Sequence, residues 1–203
     1  MAKNKIKYFK TPIIAGKYKG KQIEIPAIST TRSSKSILRE SLFNSIAYDV
    51  VNCNFVELFA GSGSIGLEAL SRGAKKSYFM EQNRVAHRLL TDNINNIDKE
   101  NSIVLYGDAF ELFDRLYSNL KEQDNCTFFY LDPPFSIREG MEDIYDKCIN
   151  LIAKIKDPFA KMVIIEHMSE IELPKEIGSL ELKKYKKFGK SALSYYVLKE
   201  SNE

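Results

Sequence analysis

Asp132-Pro133-Pro134-Phe135 is the stretch of this 203-residue chain whose residue types most directly suggest chemistry. Two consecutive prolines restrict φ and remove two N–H donors, so the turn is rigid and presents the Asp132 carboxylate beside outward-facing carbonyls. An aromatic ring follows at the same edge. The set suits methylation of an exocyclic amine. The lone pair of such an amine on guanine or adenine is delocalised into the ring, and acceptors near both N–H groups help to localise it for in-line attack on a sulfonium methyl. Phe135 can stack on the base, an interaction worth roughly 1–3 kcal/mol. Holding amine and methyl in a near-attack arrangement contributes at best on the order of 7–11 kcal/mol. The bland alternative is a Pro-Pro turn that simply ends a strand, and what lies upstream decides between the two.

Upstream, Glu57-Leu-Phe-Ala-Gly61-Ser-Gly63-Ser-Ile-Gly66 follows a predicted strand and opens a predicted helix, the context that a nucleotide-binding glycine loop requires. Glycines let the backbone turn sharply and approach a ligand, and the helix N-terminus offers free N–H groups. Glu81 ends the next strand, 20 residues after Gly61, where an acid can accept from both hydroxyls of a ribose. A nicotinamide dinucleotide and S-adenosylmethionine both carry that ribose, so Glu81 does not choose between them. Gly107-Asp108-Ala109 closes a third strand beside the same crevice. Asp108 can accept from an adenine amine there and can also cap the helix that follows. The Asp132 turn makes the choice, because a dehydrogenase has no use for it. Methylation at cytosine C5 needs a nucleophilic cysteine, and none of the three cysteines lies in the turn.

Positioning these residues requires alternating strands and helices. Hydrophobic periodicity predicts strands at 55–59, 77–81, 102–106, 127–131 and 161–166, and helices at 64–72, 84–96, 109–120 and 142–156. Strands alternating with helices of this length imply βαβ units and a parallel sheet covered on both faces. Two last β-prone runs, 180–188 and 192–198, flank Gly189-Lys190 as an antiparallel hairpin. Before the body, Ile13 to Ala15 and Gln22 to Ile25 flank Gly16 and Gly20 and predict a small hairpin. A helix carrying Ile37, Leu38, Leu42 and Ile46 follows.

With 44% apolar and 28% charged residues, the chain has globular composition and enough length for one sizeable core. The net charge is only +3, but it is unevenly spread. Residues 1–40 carry ten Lys/Arg and two acids, leaving the remainder net acidic. Such a basic arm points to a polyanion or an anionic membrane, with a merely solvated surface as the alternative. No apolar run approaches a membrane span and no secretory signal opens the chain, so a soluble, cytoplasmic protein is expected. Cys53, Cys126 and Cys148 are widely spaced with only two histidines to assist them, so reduced thiols are expected in place of disulfides or zinc. His87 reads as an exposed helix residue, His167 as a structural residue near a strand end, and Lys183 to Lys190 as either a second basic patch or the wet side of a hairpin.

Together these motifs resemble class I S-adenosylmethionine-dependent methyltransferases, and among them the RsmD family of 16S rRNA (guanine-N2)-methyltransferases. The resemblance rests on the glycine loop, Gly107-Asp-Ala109, Asp132 to Phe135, Ile165-Glu166-His167 and Tyr185 to Tyr196. More specific to the family are Ile13-Ile-Ala-Gly16-Lys-Tyr-Lys-Gly20-Lys, Thr31-Arg32 and Arg39-Glu-Ser-Leu-Phe43-Asn. It implies a Rossmann-like α/β fold, with a seven-stranded, mostly parallel sheet, a C-terminal antiparallel hairpin and a short N-terminal hairpin and helix extension. Residues 1–33 would form the basic arm and 34–203 the methyltransferase domain. Glu57, Phe59, Ala60, Gly61, Ser62 and Gly63 would hold the methionine part of S-adenosylmethionine, Glu81 and Gln82 its ribose, and Asp108 and Ala109 its adenine, with Asp132 bordering the cofactor. Asp132, Pro133, Pro134 and Phe135 would grip the guanine. Lys17, Lys19, Lys21, Arg32 and Arg39 would hold the backbone of 16S rRNA, in the small ribosomal subunit or an assembly intermediate. A monomer without metal is expected. Adenine N6 methylation and an inactive RNA- or ribosome-binding module are the alternatives. One segment departs from the family: Thr31-Arg32-Ser33-Ser34-Lys35-Ser36-Ile37 lacks the usual proline, acid and second basic residue.

Overall fold

The computed structural model describes residues 8–26, 32–134 and 143–200, without the side chains of residues 32–34. The arm is a two-stranded antiparallel hairpin, β1 (Tyr8–Pro12) and β2 (Gln22–Pro26), followed by α1 (Arg32–Ser45). The body alternates β3 (Asn54–Glu57), α2 (Ser64–Ser71), β4 (Lys76–Glu81), α3 (Arg84–Ile97), β5 (Ser102–Tyr106), α4 (Ala109–Gln123), β6 (Thr127–Leu131), α5 (Ile144–Ile152) and β7 (Ala160–Met168). It ends in β8 (Glu176–Ile177), β9 (Leu180–Phe188) and β10 (Ser191–Leu198).

The sheet order is β5-β4-β3-β6-β7-β10-β9-β8, parallel from β5 to β7 and antiparallel beyond. From β3 the chain winds outward to β4 and β5, then returns to place β6 on the other side of β3. That reversal is a topological switch point, where the loops after two neighbouring strands diverge and leave a crevice at their C-terminal ends. The loops that diverge here are the glycine loop after β3 and the Asp132 turn after β6.

β3 and β6 are buried throughout, which is why their centres, Phe55-Val56 and Phe128 to Leu131, read as apolar runs without polar alternation. One face of the sheet packs Phe55, Phe128, Tyr130, Ile164 and Tyr195 against α1, α2 and α3. The other packs Val56, Phe129, Leu131, Val163 and Tyr196 against α4 and α5. α3 buries Leu89, Leu90, Ile94 and Ile97 at helical spacing, and Asn83 caps it through Val85 N and Ala86 N.

Three details differ from the sequence-based expectation. The first strand of the arm is Tyr8–Pro12, with Ile13 to Ala15 beyond it, because the amides of Ile14 and Ala15 are drawn to the Glu68 carboxylate instead of a ladder. The sheet has an eighth strand, β8, whose two residues are too few to show a period; Gly178 at φ +57 turns it back onto β9. Cys53 and Cys126 are joined as a disulfide, and Cys148 is free and buried. Asn54 pairs with Thr127 in register, so the residues immediately before them stand side by side despite a separation of 73 in sequence. Among the described residues no helix is long and apolar enough to cross a membrane, and no group of potential metal ligands is present.

Candidate active site

Glu57 ends β3 with its carboxyl buried, only 3% exposed, and accepts from Gly66 N at 2.9 Å. Burial pushes its pKa up to about 8; the Gly66 and Ile65 amides counter this, and the charges of Asp132 and Glu81 add to it. The chain then turns through Ala60, whose amide donates to Met80 O on the neighbouring β4. Gly61 follows at φ +53, with open space where a side chain would begin. Ser62 and the buried Gly63 complete the loop; Ser62 O accepts from Asn93 Nδ2 at 2.9 Å. Gly63 at φ +77 starts α2, where a Cβ would collide with Leu90 and crowd Phe79. Gly61 thus leaves room for a ligand, whereas Gly63 lets helix and sheet pack closely.

Glu81 ends β4 and ties the loop together. Its Oε2 accepts from Gly61 N at 2.8 Å and its Oε1 from Asn83 N at 2.7 Å. Gln82 beside it is exposed. Asp108, after β5, caps α4 through Phe110 N at 2.8 Å, the capping role anticipated from its position. Ala109 is buried, and Phe59 meets Phe110 edge-on at 5.7 Å, flooring this side of the crevice. Asp132 follows β6 with its side chain 26% exposed. Pro133 is buried and Pro134 half-buried, so the turn is anchored while the carboxylate stays accessible. Phe135 lies outside the described residues.

The residues assigned to the arm part company. Lys19 and Lys21 are exposed, and Lys21 lies over the Tyr18 ring at 4.7 Å. Lys17 is exposed but pairs with Asp98 at 3.2 Å, while Tyr18 Oη donates to the same Asp98 oxygen at 2.7 Å. Arg32 opens α1, and its side chain lies outside the described set. Arg39 is placed differently from the RNA contact expected of it. At 4% exposure it points inward, donating to Pro12 O at 2.7 Å and to Thr11 Oγ1, within 3.9 Å of Glu68. Its work is to hold the arm to the body.

His167 is buried, with Nε2 2.9 Å from Ser194 Oγ and Nδ1 2.9 Å from Met168 O. Burial lowers its pKa, which agrees with the structural reading. His87 packs edge-on against Tyr106. Sequence reasoning missed two neighbours of the Asp132 turn. Lys35 on α1 reaches Asp132 Oδ2 at 3.2 Å; it lies in the segment that departs from the family pattern, and no spacing linked it to the turn. Tyr130 stands two residues before Asp132, so it projects to the same face of the strand, a period-2 relation visible in the sequence.

A protein-family model described as Conserved hypothetical protein 95 matches residues 11–197. Ribosomal RNA small subunit methyltransferase D of Escherichia coli strain K12 is 29% identical over 186 residues, covering 91% of this chain and 88% of that protein. The protein of the same name from Haemophilus influenzae is 30% identical over 143 residues, covering 68% of this chain and 70% of its own. The solved structure of yhhF from Escherichia coli superposes with a TM-score of 0.72 at 27% identity, covering 95% of this chain and all of that one. Sheet order, glycine loop and Asp132 turn are those of a class I methyltransferase fold. The chain belongs to the RsmD family of methyltransferases, the family described as Conserved hypothetical protein 95.

Proposed function

We propose that this protein methylates the exocyclic N2 amine of a guanine in 16S rRNA of the small ribosomal subunit or its assembly intermediate, using S-adenosylmethionine. The carrying observation is the collection of Glu57, Glu81, Asp108 and Asp132 at one edge of the sheet, around a loop with open space over Gly61. The donor set fits the cofactor. Carboxylates suit a sulfonium and an ammonium, and they accept from ribose hydroxyls and an adenine amine. Glu57 is pushed up to about 8 chiefly by burial, and the Asp132 and Glu81 charges add to it.

When bound, S-adenosylmethionine supplies an electrophilic methyl group on a positively charged sulfur. The loop at Phe59 to Gly63 with Glu57 would hold its methionine part, Glu81 and Gln82 the ribose, and Asp108 and Ala109 the adenine. Asp132 accepts an N–H of the guanine amine and directs its lone pair, and the buried Pro133 keeps that carboxylate from swinging away. Residues 34–203 carry this chemistry, and the arm, residues 1–33, delivers the RNA.

The test is to incubate purified protein and labelled cofactor with small subunits from a strain lacking the enzyme, then digest the RNA to nucleosides for mass spectrometry. Labelled N2-methylguanosine is the expected product. N6-methyladenosine would transfer the reading to adenine, and no label at all would leave a binding module.

The arm makes its own prediction. Exposed Lys19 and Lys21 are free to meet phosphates, whereas Lys17 already has Asp98 as a partner. Charge reversal at Lys19 and Lys21 is expected to weaken RNA binding and to lower the log–log salt slope by about one per lost contact. An unchanged slope in a filter-binding salt series would assign these lysines to solvation alone.

A further inference from the structure

Glu166 is a buried carboxyl that the scheme above leaves idle. It lies near the C-terminal end of β7, 2% exposed. Its Oε2 accepts from Tyr130 Oη at 2.6 Å, and its Oε1 has no hydrogen-bond partner. A buried polar atom without a partner forfeits its hydration uncompensated, so its retention calls for a reason.

Its neighbourhood supplies one. β6 and β7 run parallel, with Leu131 paired to Ile165, so Asp132 and Glu166 take the next position along the same two strands. Tyr130 and Ile164 pack on the sheet face that carries α1, and the residues two further along their strands, Asp132 and Glu166, share that side. The groups around Glu166 are Tyr130 and Asp132 from β6, Lys35 from α1 and Ser191 from β10. The Glu57 charge also bears on Tyr130, and those of Asp132 and Glu166 both bear on Tyr145 of α5. His167, next in the chain, is held separately by Ser194 and Met168 O. Of these groups only Asp132 combines a carboxylate with access to the crevice.

We infer that Glu166 and Asp132 act as one carboxylate pair, in which Glu166 is a positioning residue that stores the proton Asp132 takes from the methylated amine. This rests on the methyl-transfer reading above. Once the new C–N bond has formed and the S–C bond has broken, the amine nitrogen carries a positive charge. Its N–H bond then breaks, the electron pair stays on nitrogen, and the proton forms an O–H bond on Asp132. From there it passes to the unpartnered oxygen of Glu166, and it returns through Asp132 to water before the next turnover. The buried Glu166 carboxyl, next to the Asp132 charge, is the member of the pair suited to keep a proton near neutrality.

The sign follows from the direction of the shift. Burial, then the Asp132 charge, push Glu166 up to about 7, against Lys35, Tyr130 and Ser191. The ionised pair is the competent base, so methyl transfer is lost as pH falls through about 7. Glu166→Gln keeps the acceptor for Tyr130 but cannot store the proton. Single-turnover transfer to small subunits is expected to fall about 10- to 100-fold at pH 8, at or below the roughly 10²-fold lower end of direct general-base effects because Glu166 acts through Asp132. Its acidic limb is expected to move down toward the ordinary carboxylate range. Tyr130→Phe, which removes a hydrogen bond to the ionised form, is expected to move the limb upward.

Carbon-13 titration of labelled glutamate carboxyls in the free protein gives a readout that needs no turnover. The Glu166 signal is expected to titrate near neutrality and to move down in Asp132→Asn, which removes the neighbouring charge. Wild-type transfer with an unchanged limb in Glu166→Gln would overturn the pair and leave the methyltransferase reading standing, as would a Glu166 titration indifferent to Asp132→Asn. Absence of transfer by the wild-type protein would overturn both.

Discussion

Asp132→Ala is expected to abolish methyl transfer, lowering the single-turnover rate by about 10³-fold or more, while cofactor affinity stays within about tenfold of wild type. The two effects separate because the carboxylate has different duties toward the two partners. For the guanine amine, Asp132 is the acceptor at the mouth of the crevice. Without it the described part of the turn keeps only backbone carbonyls as acceptors, which cannot receive the proton. Toward a cationic cofactor it is one acid among several, with Glu57 and Glu81 still in place, and Glu81 still bonded to Gly61 N and Asn83 N. The substitution also frees Lys35 from its 3.2 Å contact. Lys35→Met is therefore the companion control: if the loss came from a displaced lysine, that variant would share it. Labelled methyl transfer together with calorimetric cofactor binding reads both quantities. Turnover near the wild-type rate in Asp132→Ala would remove Asp132 from the chemistry.

Both strands that carry the site were legible because they are buried on both faces and bounded by turns. Val56 and Phe129 on one side, with Phe55 and Tyr130 on the other, leave no room for the polar alternation of an exposed sheet. The glycine loop could be placed because its position between strand and helix restricts what a run of glycines can do. What escaped was long-range pairing. Cys53 and Cys126 meet only because β6 returns beside β3, and Lys35 meets Asp132 only because α1 lies over that strand end. Neither contact leaves a local periodic trace. Arg39 was misjudged for a related reason. A basic residue in a basic arm reads as solvent-facing unless its buried partner is known, and the partner, Glu68, lies on another helix. The sequence places Glu68 inside the apolar run of α2 without saying what neutralises it.

Glu68 is where the second large effect is expected. It is fully buried, and four groups converge on it: Ile14 N at 2.8 Å, Ala15 N at 3.1 Å, Arg72 Nε at 2.8 Å and Arg39 Nε at 3.9 Å. Removing one partner of a buried ion pair leaves the other charge uncompensated, a loss of about 3–5 kcal/mol. Arg39 is the exposed weakness here, since burial lowers its pKa, the Glu68 charge opposes that, and its Nε has no hydrogen-bond partner. Glu68→Ala is therefore expected to destabilise the protein by about 3–5 kcal/mol, which for a chain of this size is a melting-point drop of about 6–20 °C. The loss should begin at the arm. Gly16 fits only because it has no side chain, a Cβ there being in collision with Ser71 O, and Tyr18 N bonds to Ser71 Oγ at 2.9 Å. Release of Ile14 and Ala15 would thus unseat the whole turn that presents Lys19 and Lys21. Hydrogen exchange resolves this residue by residue. Amides 13 to 21 should lose protection before those of β3 and β6, and RNA affinity should fall more than cofactor affinity. Glu68→Gln sharpens the test, because it keeps an acceptor for the two amides while deleting the charge. If it matches wild type in stability, the carboxylate serves the backbone and not the arginines; if Glu68→Ala leaves the arm amides protected, Glu68 does not anchor the arm.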